Sequence, residues 1–216
     1  MELIRKYFPE LDAQQTGQLI RFREEILKWN QRLNLVSRKD SPYLEERHIL
    51  HSLGIAVFYS FPNSCKILDV GTGGGFPGIP LAILNPGAHF ILVDSIGKKI
   101  DAVREITATL KLSNVETRQH RAEMLEENFH FIISRAVTSL SRFTGWMKDR
   151  ILEPSVEFPD NGILYLKGGD MEEEIRPFPG ARIYSLGERF SEPFFETKKL
   201  IYLPFEGLKK NTTFAV

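Results

Sequence analysis

At 216 residues, with 42% hydrophobic and 26% charged side chains, the chain has the composition of a globular protein long enough to bury a real core. Its 28 Lys+Arg offset its 28 Asp+Glu, which argues against a protein that holds nucleic acid by bulk charge. Cys65 is the only cysteine, so neither a disulfide framework nor a cysteine-based zinc site can be built, and no metal site is expected.

The first 61 residues read as a helical segment. Leu19, Phe22, Ile26, Trp29, Leu33 and Val36 alternate spacings of three and four, which places them on one helical face. "DSPYLEERHIL" reads as a second helix start, with Ser41 as N-cap and Pro42 in the first turn, running to about Phe61. "MELIRKYFPE" has no apolar signal core, and no stretch approaches the length of a membrane span. A monomer in the cytosol, with no membrane partner, is the expectation.

After "FPNS" (61–64) the pattern changes. Seven short runs read as strands: 65–70, 89–94, 115–120, 129–134, 162–167, 181–186 and 198–204. Helical stretches at 78–84, 97–111, 139–150 and 170–176 separate them. Such alternation implies βαβ units, a parallel sheet and an α/β fold. Only a loop separates the last two strands, which predicts an antiparallel hairpin at the sheet's end.

"DVGTGGGFPG" (69–78) joins the first strand to the first helix of this region, with five glycines in eight positions from Gly71. That density carries an entropic cost beyond what a turn requires, so a ligand is expected here. Gly73, Gly75 and Gly78 match G-x-G-x-x-G, the dinucleotide fingerprint. Against a nicotinamide dinucleotide stand Asp69, a carboxylate unwelcome beside a pyrophosphate, and Pro77, which lacks an N–H. S-adenosylmethionine, with a cationic sulfonium and no phosphate, fits better. Asp94 ends the second strand where a ribose-binding carboxylate is expected; its bland alternative is a cap on the helix near Gly97. Ala122 and Glu123 follow the third strand, equally suited to reading an adenine edge or to facing solvent. Arg135, after the fourth strand, faces cofactor or substrate, or forms an ordinary ion pair. "SRAVTSL" there contains neither an Asn-Pro-Pro-aromatic motif nor a cysteine nucleophile. Transfer to an atom that is already nucleophilic is therefore expected.

"WNQRLNL", "RHILHSL", "ILDVGTGGGFPGIPLAI", "LVDSIGKK", "RAE", "SRAV" and "LKG" occur in that order over roughly residues 25–170. Together they resemble the bacterial RsmG family, also called glucose-inhibited division protein B. The resemblance implies a seven-stranded class I S-adenosylmethionine-dependent methyltransferase, Rossmann-like, over 62–216 behind a helical extension over 1–61. It implies methylation of N7 of a guanine in a hairpin loop of 16S ribosomal RNA, free or in the small ribosomal subunit. Carried over residue by residue, it implies cofactor contacts at Gly71, Phe76, Ala122, Glu123 and Arg135, with Asp94 on the ribose. No catalytic residue follows from it. His51-Ser52-Leu53 stands where the family reads Asp-Ser-Leu. Rival readings are a methyltransferase of proteins or small molecules, an NAD-dependent oxidoreductase, and a catalytically silent RNA-binding module. RNA contacts are sought in two basic stretches, 96–121 and 198–216, and at Lys167. Trp29, inside the apolar stripe, is expected to pack in the core.

Overall fold

The structure, a computed structural model, describes residues 1–135 and 137–210. Seven strands form one sheet: β1 (Lys66–Val70), β2 (His89–Asp94), β3 (Val115–Gln119), β4 (Phe131–Arg135), β5 (Gly162–Gly168), β6 (Arg182–Ser185) and β7 (Lys198–Pro204). Their spatial order is β3-β2-β1-β4-β5-β7-β6. β1 to β5 run parallel, and β7 inserts antiparallel between β5 and β6. All seven predicted strands are present, and the last two form the predicted hairpin.

Because both faces of the sheet are covered, adjacent residues of one strand enter different cores. Ile67, Phe90, Leu92, Phe131, Ile133 and Leu164 pack with the N-terminal helices. Leu68, Val70, Ile91, Val93, Ile132 and Tyr165 pack on the other side with Phe143, Met147 and Leu208.

The helices are α1 (Glu2–Tyr7), α2 (Ala13–Asn30), α3 (His51–Leu53), α4 (Gly78–Leu84), α5 (Gly97–Thr109), α6 (Leu140–Met147), α7 (Glu172–Ile175) and α8 (Phe205–Lys210). In α2, Asp12 and Gln15 form a capping box, and Leu19, Phe22 and Ile26 are fully buried. The helix ends at Asn30, whose side-chain oxygen accepts from the N–H groups of Leu35 and Val36, at 2.9 and 3.0 Å. Leu33 and Val36 therefore reach the core from a turn, not from the predicted helical stripe. Trp29 packs against the core, as expected.

The predicted second helix is broken up. Ser41–Tyr43 is a 3-10 turn whose N-cap position is Asp40, not Ser41. Glu45–Leu50 is π-helical and runs into the single turn α3, after which the chain leaves the helix at Gly54, well before Phe61. Smaller corrections apply at other element ends. α5 stops at Thr109, α6 spans Leu140–Met147 and passes into a 3-10 turn over Lys148–Arg150, α7 is confined to Glu172–Ile175, and β4 is Phe131–Arg135, so Arg135 closes that strand.

Candidate cofactor site

The carboxyl ends of β1, β2, β3 and β4 open together on one edge of the sheet. In a doubly wound fold this edge, where the strand order reverses beside β1, is where ligands bind. A cavity of about 350 Å³ lies there, within the range of small-molecule sites. Gly71, Asp94, Ala122 and Glu123 all line it, as do Val137, Arg142 and Trp146.

The loop after β1 is tied down at several points. The Thr72 N–H donates to the Val93 carbonyl at 3.0 Å, stitching the loop to β2. Asp69 is fully buried; its Oδ2 accepts from the Thr72 hydroxyl at 2.6 Å and the Gly78 N–H at 2.9 Å. A Cβ on Gly78 would stand 2.6 Å from that oxygen, so only glycine lets α4 begin so close to the carboxylate. Burial pushes the Asp69 carboxyl up to about 7, although its two hydrogen bonds pull the other way. Among the described residues its buried Oδ1 has no hydrogen-bond partner. Gly71 has φ +67°, and a Cβ there would lie 2.6 Å from Val137 Cγ2. Its bare backbone therefore forms part of the cavity wall.

Asp94 is almost fully buried at the end of β2. Oδ2 accepts from the Gly73 N–H at 3.0 Å, and Oδ1 from the Ile96 N–H at 2.9 Å. It is not the helix cap of the bland reading, since the N-cap position of α5 is Ile96. Instead it joins the glycine loop to the turn after β2, and each oxygen keeps a further lone pair for a ligand. Ala122–Met124 forms a 3-10 turn after β3, with Ala122 buried and Glu123 exposed. Glu123 lies 3.6 Å from Arg121 across the cavity mouth.

Phe76 and Arg135 do not line this cavity. They meet beside it, with the Arg135 guanidinium 5.0 Å from the centre of the Phe76 ring. Arg135 donates to His48 Nδ1 at 3.0 Å and, more weakly, to the Arg47 carbonyl at 3.4 Å. Among the described residues no carboxylate forms an ion pair with it, so the ordinary ion-pair reading fails. Burial draws its guanidinium down to about 10. Burial also lowers His48, to about 3, and His51 well below the usual histidine range. His51 packs edge-on against Phe194, ring centres 5.5 Å apart.

Sequence reasoning missed Arg142 and Trp146. They sit four residues apart on α6, the guanidinium 5.3 Å from the indole centre. The available signal was that spacing on a helix directly after β4. The expected RNA-facing cations are partly engaged elsewhere. Arg118 pairs with Glu116 and Glu127, Arg104 with Asp101, and Lys167 with Glu174. Of the basic stretch 198–216, positions 211–216 lie outside the described residues.

Comparison with known proteins follows the same lines. The family model described as rRNA small subunit methyltransferase G matches residues 15–201. A curated relative named ribosomal RNA small subunit methyltransferase G, from Christiangramia forsetii, is 50% identical over 95% of this chain and 98% of its own. Its counterpart in Flavobacterium johnsoniae is 49% identical over 95% and 99%. Among solved structures, a SAM-dependent methyltransferase from Aquifex aeolicus superposes with TM-score 0.52 at 15% identity, covering 78% of this chain and 98% of that one. The pyocyanin biosynthetic protein PhzM gives 0.56 at 13%, covering 79% and 60%. The structural neighbours share the fold, a class I methyltransferase sheet, while the relatives match nearly end to end. The chain belongs to the rRNA small subunit methyltransferase G family.

Proposed function

We propose that this chain transfers a methyl group from S-adenosylmethionine to N7 of a guanine in a hairpin loop of 16S ribosomal RNA, as a monomer in the cytoplasm. Residues 1–61 serve as a helical extension and 62–216 as the methyltransferase domain; among the described residues no helix is long and apolar enough to cross a membrane. The observation that carries the reading is the cavity, in which Asp94, Gly71 and the Ala122-Glu123 pair converge from three strand ends. These residues fit the cofactor. Asp94 suits ribose hydroxyls, and Ala122-Glu123 the adenine edge. Trp146 offers a face for the adenine ring. Arg135, which pairs with no carboxylate among the described residues, suits the carboxylate of the methionine end.

When bound, the cofactor supplies a methyl group activated on a sulfonium. The chain's contribution is to hold that group in line with the acceptor, by proximity and orientation. Guanine N7 presents an in-plane lone pair with no proton to remove, so no general base is assigned. The exposed cations Arg121 and Arg142 at the cavity mouth suit RNA phosphates. Calorimetric titration tests the reading. S-adenosylhomocysteine should bind at one site per chain and NADH should not; tight NADH binding would restore the oxidoreductase.

A further inference from the structure

The 1–61 segment meets Arg135 and the glycine loop through His48, the Arg47 carbonyl and Phe22. His48 lies on the π-helical stretch Glu45–Leu50, an irregularity frequent at functional positions. Its ring sits 5.2 Å from the Phe76 ring, on the glycine loop, and its Nδ1 lies 3.0 Å from Arg135 Nη2. Arginine has donors and no acceptor. Nδ1 must therefore accept, which leaves the ring neutral with its proton on Nε2. The neighbouring carbonyl of Arg47 takes a second arginine N–H, and Phe76 lies against the guanidinium. Three groups thus constrain the Arg135 plane, and none of them neutralises its charge.

We propose that His48 is a positioning residue for the cofactor. By accepting from Arg135 it fixes the guanidinium so that the remaining donors meet the carboxylate of the methionine end. The inference rests on the S-adenosylmethionine reading above. A neutral acceptor suits this task, because a carboxylate in its place would satisfy the arginine and weaken its hold on an anionic ligand. Phe76 then contributes through the arginine rather than by lining the cavity.

The test uses two ligands that share an adenosine. S-adenosylhomocysteine carries the carboxylate, and 5′-methylthioadenosine lacks it. His48→Phe keeps a ring against Phe76 but removes the acceptor. By calorimetry it should weaken S-adenosylhomocysteine about tenfold, roughly 1.4 kcal/mol, and leave methylthioadenosine unchanged. His48→Asn, whose side-chain oxygen falls near the Nδ1 position, should recover most of the loss. In an Arg135→Leu background His48→Phe should add nothing. His48→Leu serves the same comparison if the phenylalanine is too large to fold. Equal weakening of both ligands, or no weakening of either, overturns the proposal and leaves the cofactor reading standing. Failure of the unmodified protein to bind S-adenosylhomocysteine overturns both.

Discussion

Replacing Gly71 by alanine probes the cavity wall with a single methyl group. The residue sits at φ +67°, where a left-handed L-residue costs about 1–2 kcal/mol. For a chain of this length that corresponds to a melting temperature lower by about 2–8 °C. The new Cβ would stand 2.6 Å from Val137 Cγ2, so Val137 must move. Val137 is 39% exposed and free to swing, but it lines the same cavity, so its displacement takes up ligand space. Affinity for S-adenosylhomocysteine should fall at least about tenfold, roughly 1.4 kcal/mol. Gly180→Ala is the control. Gly180 has φ +77° and an ideal Cβ 3.3 Å from Pro204, just before β6 at the opposite edge of the sheet. It should lose similar thermal stability and no affinity. Calorimetric titration of both variants decides. A folded Gly71→Ala chain that binds within about twofold of the unmodified protein would refute the placement of the ligand against this loop.

Three further outcomes are expected. Asp94→Ala should lose roughly 1.5–3 kcal/mol of S-adenosylhomocysteine affinity, and also thermal stability, because the Gly73 and Ile96 N–H groups lose their acceptor; a loss of stability alone would make Asp94 only a loop anchor. In a Trp29→Phe chain Trp146 is the sole tryptophan, and its emission should change on saturation with the same ligand; unchanged emission removes it from the site. Asp69 predicts a pH signature. Its carboxyl, raised by burial to about 7, holds a proton that the unfolded chain releases. That stabilisation is complete below the unfolded carboxylate range and is lost as pH rises through about 7. His48, lowered to about 3, acts in the opposite sense: its contribution is present above 6.5 and fades as pH falls. Comparison with Asp69→Asn isolates the carboxyl. From pH 5 to 8 the unmodified chain should lose about 2–3 kcal/mol relative to the variant in calorimetric melts, and a pH-independent difference would contradict the raised value.

The central strands were legible because a sheet covered on both faces writes continuous apolar runs, such as Ile67-Leu68 or Ile132-Ile133, between polar turns, whereas the edge strand β3 (Val115–Gln119) holds one apolar residue and none that is buried. Gly71 and Asp94 were legible because chemistry at a strand's carboxyl end needs a bare backbone and a carboxylate. The stretch after Asp40 was misread because a π-helix and an α-helix share composition and N-terminal signals; the wider turn is set by packing of His48 and His51 against residues distant in sequence. Trp146 was invisible for a related reason. On α6 it neighbours the buried Phe143 and Met147, and only the placement of α6 over the strand ends turns one side of it to the cavity. Arg135 and Phe76 were singled out as cofactor contacts, but their pairing with each other and with His48 depends on tertiary structure alone.

Methyl transfer to ribosomal RNA is the central claim, and it is tested most directly with small ribosomal subunits from cells lacking this chain. These are incubated with the purified protein and S-adenosylmethionine, and the 16S RNA is digested to fragments for mass spectrometry. The account predicts one additional 7-methylguanosine, in a hairpin-loop fragment, formed with the unmodified protein and strongly reduced with Asp94→Ala. No methyl incorporation into either the subunit or its free RNA, or incorporation at an atom other than guanine N7, would contradict it.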